Sequence, residues 1–380
     1  MPLKPFILSL SPALLALAIL SCGGNSKNNP DPGPGPGPTP TRKVFAVGWN
    51  ESENIDNVHS ASFWEDGDGL GFGDSGLYYS AKALSGFVSG DTLYAAGWER
   101  YRFYPYNTYP LFFKANYQAT FVERTFQRLN TGNYSDAIAT SVYVSGSDVY
   151  IAGDGLDSQS ISTVLLWKNG ALTAWQPSSP YRHGYSSSCF VLGNDTYIAG
   201  CEYDNTGGAA VLWKNGVPQQ ISSVGYRDGY YMAYNAATSV YVSGNDVYVA
   251  GYELNGRNNF VATLWKNSAP QRLSSDNYNA EALSVFVSGN DVYVAGWEEN
   301  AQGRAVAKIW KNGALLQSLS NGSYDAYATS VYVIDGDVYA SGYELNQQGI
   351  AKARVWKNGA SQYSSLGGSR EVVAHSIFVK

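Results

Sequence analysis

The sequence is poor in the residues that most often carry chemistry. It has three cysteines, three histidines and two methionines in 380 residues. None of His59, His183 and His375 sits in a metal-ligand or nucleophile motif. There is no phosphate-binding loop, dinucleotide fingerprint or triad order. No cofactor and no metal is therefore expected. A net charge of −6 argues against a nucleic-acid partner. Beyond the first 21 residues no stretch is apolar enough to span a bilayer. What the chain has instead is 30 tyrosines and ten tryptophans, a composition that favours β-structure with aromatic packing.

The N-terminus reads as a targeting segment. Lys4 gives a positive start, Phe6 to Leu20 an apolar core, and Ser21 a small residue before Cys22. This arrangement resembles a bacterial lipoprotein precursor. The resemblance implies removal of residues 1–21, lipidation of Cys22 and residence in the cell envelope as an outer-membrane lipoprotein. Residues 22–42 carry "GGNSKNNPDPGPGPGPTPTR", a Gly/Pro-rich spacer without core-forming residues. Residues 43–380 remain to fold.

That region repeats. A serine opening "SVYV"-like stretches recurs at Ser85, Ser141, Ser188, Ser239, Ser284, Ser330 and Ser376, at spacings of 56, 47, 51, 45, 46 and 46 residues. In the first six a glycine follows 12 residues later: Gly97, Gly153, Gly200, Gly251, Gly296 and Gly342. A repeat reads as strand, tight turn, strand, then a variable stretch, then a second hairpin, whose turn is "WKNG" at 167, 213, 310 and 356 and "WKNS" at 265. Four strands, A to D, of about this length resemble the Kelch-type blade, with Gly-Tyr or Gly-Trp where Kelch has a double glycine. The resemblance implies an all-β, seven-bladed β-propeller of four-stranded antiparallel blades. The last repeat stops at "AHSIFVK" and the first begins at "KVFAVGW". Pairing the C-terminal strand A with N-terminal strands B to D closes the ring and removes open sheet edges.

In such a ring the A–B and C–D turns share one face and the B–C and D–A loops the other. The turns are uniform and the loops vary, so binding is expected on the loop face. Three loops deviate most: a B–C loop over Trp98 to Tyr117, and two D–A loops over Trp175 to Ser188 and Val224 to Ala237. From them come the candidate ligand-binding residues Arg100, Tyr101, Arg102, Tyr104, Tyr106, Tyr181, Arg182, His183, Tyr226, Arg227, Tyr230 and Tyr231. Flat aromatic faces beside planar donors suit a glycan or a protein. The tether enters on the turn face, so the loop face would point away from the membrane.

Other features read as architecture. A carboxylate follows the Gly-aromatic pair in most repeats: Glu99, Glu202, Glu253, Glu298 and Glu344, with Glu51 and Asp154 near the same place. These are expected to accept loop amides. "EDGDGLGFGD" fails the EF-hand pattern at Leu70 and Leu77 and falls where a C–D turn belongs. Cys201 lies about three positions beyond the hairpin partner of Cys189, too far for easy bridging. His59 and His375 fall in the same split blade. A non-catalytic binding scaffold is expected. The alternatives are a polysaccharide-acting hydrolase or lyase, which needs a carboxylate pair outside the repeat pattern, and a structural subunit of an envelope complex.

Overall fold

A computed structural model describes residues 42–52, 58–71, 79–101, 107–117, 124–179, 182–225, 235–363 and 370–380. Among them, 28 strands form seven antiparallel sheets of four. Blade 1 is the shared one: strand A is Val372–Val379, B is Val44–Glu51, C is His59–Glu65 and D is Asp68–Gly71. Its A and B strands pair from Val44 opposite Val379 to Asn50 opposite Val372. Lys43 and Lys380 exchange two backbone hydrogen bonds, at 2.8 and 3.0 Å. Blades 2 to 7 follow in chain order, and each strand A packs against the strand A of the next blade. The strands A thus surround a central channel.

The fixed serine-to-glycine offset has a cause. Strand A starts earlier than the serine; in blade 6 it is Ala280–Ser288. Its pairing to strand B slips by one residue between Ala282 and Ser284. The same β-bulge occurs in every blade. At the bulge the backbone of strand A presses against the glycine of strand B. A β-carbon on Gly296 would lie 2.0 Å from the Glu281 carbonyl oxygen, and the other six glycines face carbonyls at 1.9–2.1 Å. The serines knit the ring. Ser85 Oγ accepts the Val142 N–H at 3.1 Å, Ser141 that of Cys189 at 3.0 Å, and the pattern continues to Ser330 and Ile377 at 3.3 Å.

The repeated tryptophans wedge adjacent blades apart at a fixed spacing. Trp64, Trp167, Trp213, Trp265, Trp310 and Trp356 are all at most 3% exposed. Trp310, for example, packs on Ala250 and Leu264 of the preceding blade. Blade 2 carries Phe113 at this position, packed on Phe45 and Phe63.

Turn chemistry explains "KNG". Asn169 and Gly170 both have positive φ, 51° and 82°, as a type I′ hairpin requires. Asn169 Oδ1 also accepts the Val149 N–H at 2.9 Å, and Lys168 reaches Asp148 at 2.9 Å. The same Lys–Asp pair recurs in blades 4 to 7. In blade 1 the signs are exchanged: Lys43 pairs with Glu65. Such a surface pair adds little stability, but its reversed sign distinguishes the closing blade from blades 3 to 7. Asp66, at φ 50° and accepting the Val44 N–H at 2.8 Å, holds the asparagine's place there. The Asp66–Asp68 stretch is therefore a turn, as the sequence suggested.

Blade 5 has Ser268 where blades 3, 4, 6 and 7 have glycine, at φ 68°. An L-residue in this region costs roughly 1 kcal/mol. Ser268→Gly is expected to stabilise the protein by about that amount, read as a rise in the urea midpoint at constant m-value. A loss of stability would mean that the bond from Gln219 Nε2 to Ser268 Oγ (3.1 Å) outweighs the strain.

Blade 2 corrects the sequence reading. Its strand C is Thr108–Asn116, inside the stretch assigned to a long B–C loop, and its strand D is Arg124–Arg128. Only residues 102–107 separate strands B and C, and the extra length of the repeat falls between strands C and D. Phe113 in place of tryptophan, with no Asn-Gly after it, hid the true strand.

Candidate functional site

Two regions of the loop face are built from described residues. The first is the outer edge of blade 2. Arg100 and Tyr101 end strand B, Thr92–Tyr101. Arg100 Nε donates to Thr108 Oγ1 at 2.8 Å, and its guanidinium lies 5.6 Å from the Trp98 ring. The Arg128 guanidinium sits 4.4 Å over Tyr109 and 5.7 Å from Tyr101, and it also pairs with Glu99. Tyr101 and Tyr109 meet edge-on at 5.9 Å. The result is a partly exposed strip of aromatic faces fixed by arginines. Tyr109 lay in the stretch read as a loop but was not singled out, and Arg128 was read into strand D, apart from Tyr101.

Arg182 and His183 do not join this strip. Arg182 is held inward by Asp204 at 3.0 Å and by the Glu202 carbonyl at 3.0 Å. His183 stacks on Tyr203 at 5.0 Å and accepts the Ser162 N–H through Nδ1 at 3.1 Å. Both brace blade 4. Arg102, Tyr104, Tyr106, Tyr181, Tyr226, Arg227, Tyr230 and Tyr231 lie outside the described residues, as does Cys22. The loop over Trp175 to Ser188 shortens, since strand A of blade 4 is His183–Leu192, and that over Val224 to Ala237 yields Ala236 and Ala237 to strand A of blade 5.

The second region is the channel. In strand A of blade 6 buried and half-exposed residues alternate, with two successive half-exposed residues, Leu283 and Ser284, at the bulge. The half-exposed set faces the channel. One aromatic residue per blade lies on this side, half-exposed except for the buried Phe190, and these touch in a closed circle: Phe87, Tyr143, Phe190, Tyr241, Phe286, Tyr332 and Phe378, with centroids 4.7 to 6.3 Å apart. A seven-membered ring of that spacing has a radius of roughly 6 Å, and contact distances of about 3.5 Å leave an opening for water but not for a sugar ring. Burial pushes the Tyr143 hydroxyl up to about 12. The circle lies toward the A–B turns, so the channel narrows there and opens toward the loop face.

At the open end, directly paired residues of strands A and B share the channel side. The pairs are Val373–Trp49, Lys82–Trp98, Ile138–Asp154, Tyr185–Cys201, Ala236–Tyr252, Glu281–Trp297 and Tyr327–Tyr343. Asp154 therefore occupies the aromatic position rather than that of the glutamates. It is 5% exposed, near the Ser186 N–H and hydroxyl at 3.4 and 3.5 Å, and burial raises its carboxyl to about 7. Lys82 sits 3.7 Å over the Trp49 ring, and burial lowers its ammonium. Trp49 also links the two histidines of the split blade: its Nε1 donates to His375 Nε2 at 3.1 Å, and His59 meets the ring at 4.5 Å. Burial, then Lys82, lowers both imidazoles to about 4.

The glutamates one residue further on are architectural. Glu202 accepts the Ser178 N–H at 2.9 Å, Glu298 that of Ser275 at 3.0 Å, and Glu344 pairs with Arg354 at 3.0 Å. Cys189 and Cys201 are buried opposite Ile198 and Tyr185 respectively, not opposite each other.

The raised Asp154 carboxyl gives a pH prediction. The unfolded side chain ionises near pH 4 and the folded one near 7, so its burial destabilises the fold increasingly across that window. Asp154→Asn is expected to add up to about 4 kcal/mol at pH 8 and little at pH 4, in urea titrations. An equal effect at both pH values would contradict the assignment.

No family model matches the sequence, and no curated protein does. Among solved structures, the chain is similar to the β-propeller domain of the Trilobed protease from Pyrococcus furiosus, described as having an open velcro topology. The TM-score is 0.50 at 8% identity, over 86% of this chain and 96% of that one. It also overlaps an acylaminoacyl peptidase from Pyrococcus horikoshii (TM-score 0.49, 11% identity, 85% and 51%) and a sialidase from Trypanosoma rangeli in complex with sialic acid (0.45, 12%, 82% and 56%). The first supports the propeller fold and nothing further at such identity; the other two carry no argument.

Proposed function

We propose that this chain is a lipid-tethered propeller of the bacterial cell envelope that binds a glycan or protein ligand on its loop face. The observation that carries the reading is the placement of the two faces. Arg42, where the Gly/Pro-rich spacer meets the fold, donates to the Ile334 carbonyl and pairs with Asp335 and Asp337, on the turn face of blade 7. The Tyr101–Tyr109–Arg128 strip and the open end of the channel lie on the opposite face. A chain held through an acylated Cys22 in the outer membrane would present that face outward. The Kelch-like blade layout accords with a scaffold of this kind.

A hydrolase or lyase acting on polysaccharide needs two carboxylates flanking one bond. Among the described residues Asp154 is closed off beside Ser186 and Glu281 faces the channel in a different blade, which favours binding over chemistry. Asp228 lies outside the described residues.

The reading is tested with an array of bacterial surface polysaccharides and the purified full chain. A variant carrying Arg100→Ala, Tyr101→Ala, Tyr109→Ala and Arg128→Ala is expected to lose at least tenfold in affinity at unchanged melting temperature. Unaltered binding would remove the site assignment. Depolymerisation of a bound glycan would favour the enzyme. Incorporation of a fatty-acyl label that persists in Cys22→Ala would remove the tether.

A further inference from the structure

The loop-face end of the channel carries a feature that the ligand-binding strip of blade 2 does not use. Glu281, in strand A of blade 6, is largely buried in the channel wall, and among the described residues no lysine, arginine or histidine pairs with it. Its hydrogen-bond donor is the Trp297 side chain, its cross-strand partner. Trp297 meets Tyr327 of blade 7 edge-on at 5.4 Å, and Tyr327 stacks on Tyr343 at 4.9 Å. The Glu281 charge also reaches Tyr252 of blade 5, as well as Tyr327 and Tyr343. All four aromatic residues keep part of their surface open. A carboxylate thus sits in a partly open arc of four aromatic rings contributed by three successive blades.

We propose that this arc binds a small organic cation bearing a methylated ammonium group. Such a group has no N–H to satisfy, so π faces and one carboxylate supply what it needs. A glycan would require several directed donors and acceptors in the same space. Further carboxylates act on the arc: Tyr327 also feels Asp325 and Glu299, and Tyr343 feels Glu371 and Asp325, of which Asp325 pairs with Arg304 at 3.2 Å. Burial raises the Glu281 carboxyl to about 7, and a cation held against it would favour its charged form. The channel already holds one cation against an aromatic face elsewhere on its wall, the Lys82 ammonium on Trp49 at 3.7 Å.

The test is calorimetric titration of the full chain with choline and with tetramethylammonium. The controls are 3,3-dimethylbutan-1-ol, which keeps the shape of choline without its charge, and N-acetylglucosamine. Both ammonium compounds are expected to bind, with the neutral isostere at least tenfold weaker. Glu281→Gln and Tyr327→Ala should each weaken choline binding at least tenfold, and Glu281→Gln should do so without lowering the melting temperature. Alanine substitutions in the blade 2 strip should leave choline binding unchanged, which separates this proposal from the preceding one. Any of three results would overturn it: no ammonium binding at millimolar concentration, equal affinity for the neutral isostere, or unaltered binding in Glu281→Gln. Tighter binding of N-acetylglucosamine than of choline would replace it with a sugar site.

Discussion

A chain lacking Ala374 to Lys380 is expected to show no cooperative unfolding transition near that of the full-length protein. The segment places Ala374, Ile377 and Val379 at 0, 1 and 3% exposure, and Phe378 in the aromatic circle. Burying these four side chains contributes roughly 7 kcal/mol. That is comparable with the whole stability of an ordinary domain, about 5–15 kcal/mol. The loss would not stay local. Without strand A, Val44–Glu51 becomes an open edge, and the Trp64–Tyr339–Val355 cluster between blades 7 and 1 loses its inner wall. Circular dichroism melts of the truncated chain decide the point. A stable truncated protein with a sharp transition would mean that the ring does not depend on this strand.

The second large effect concerns the bulge. Gly296→Ala should destabilise the protein by about 4 kcal/mol or more, at the exceptional end for a single methyl group. The new carbon would lie 2.0 Å from the Glu281 carbonyl oxygen, which is backbone and cannot rotate aside. Relief requires opening the pairing of strands A and B in blade 6, and with it the line from Ser284 Oγ to the Val331 N–H. Gly256→Ala is the matched control, because its β-carbon would meet nothing within 4 Å. Urea titrations of the two variants should separate widely. A neutral Gly296→Ala would show that the repeat's glycine is not fixed by the bulge.

Most of the architecture was legible in sequence because period carries it. The serine-to-glycine offset, the Asn-Gly turns and the two half-repeats each follow from local chemistry repeated many times. The bulge was not legible as such. It appears in sequence only as an offset of constant length, and its cause is a backbone contact. Blade 2 was misaligned because its two landmarks, tryptophan and Asn-Gly, are both replaced. The channel was missed for a different reason. Its residues lie within the most regular strands, which read as pure structure. The signal was the variation inside that regular frame: Lys82, Ile138, Tyr185, Ala236, Glu281, Tyr327 and Val373 stand at one register position with unlike chemistry. A position that the fold repeats but does not constrain is free to serve a ligand.

The central claim is that the two ends of the chain complete one blade. It is tested most directly by an engineered disulfide in a Cys22→Ala background. Lys43 and Lys380 exchange backbone hydrogen bonds, a pairing that sets their α-carbons about 5.5 Å apart, within disulfide range. Cys189 and Cys201 are buried and will not compete. Lys43→Cys with Lys380→Cys should oxidise to an intramolecular bond in the monomer, seen by mass spectrometry of the unreduced protein. Linking the ends should also raise stability by up to about 5 kcal/mol through chain entropy. Two free thiols under oxidising conditions, or disulfide-linked dimers alone, would contradict the closed ring.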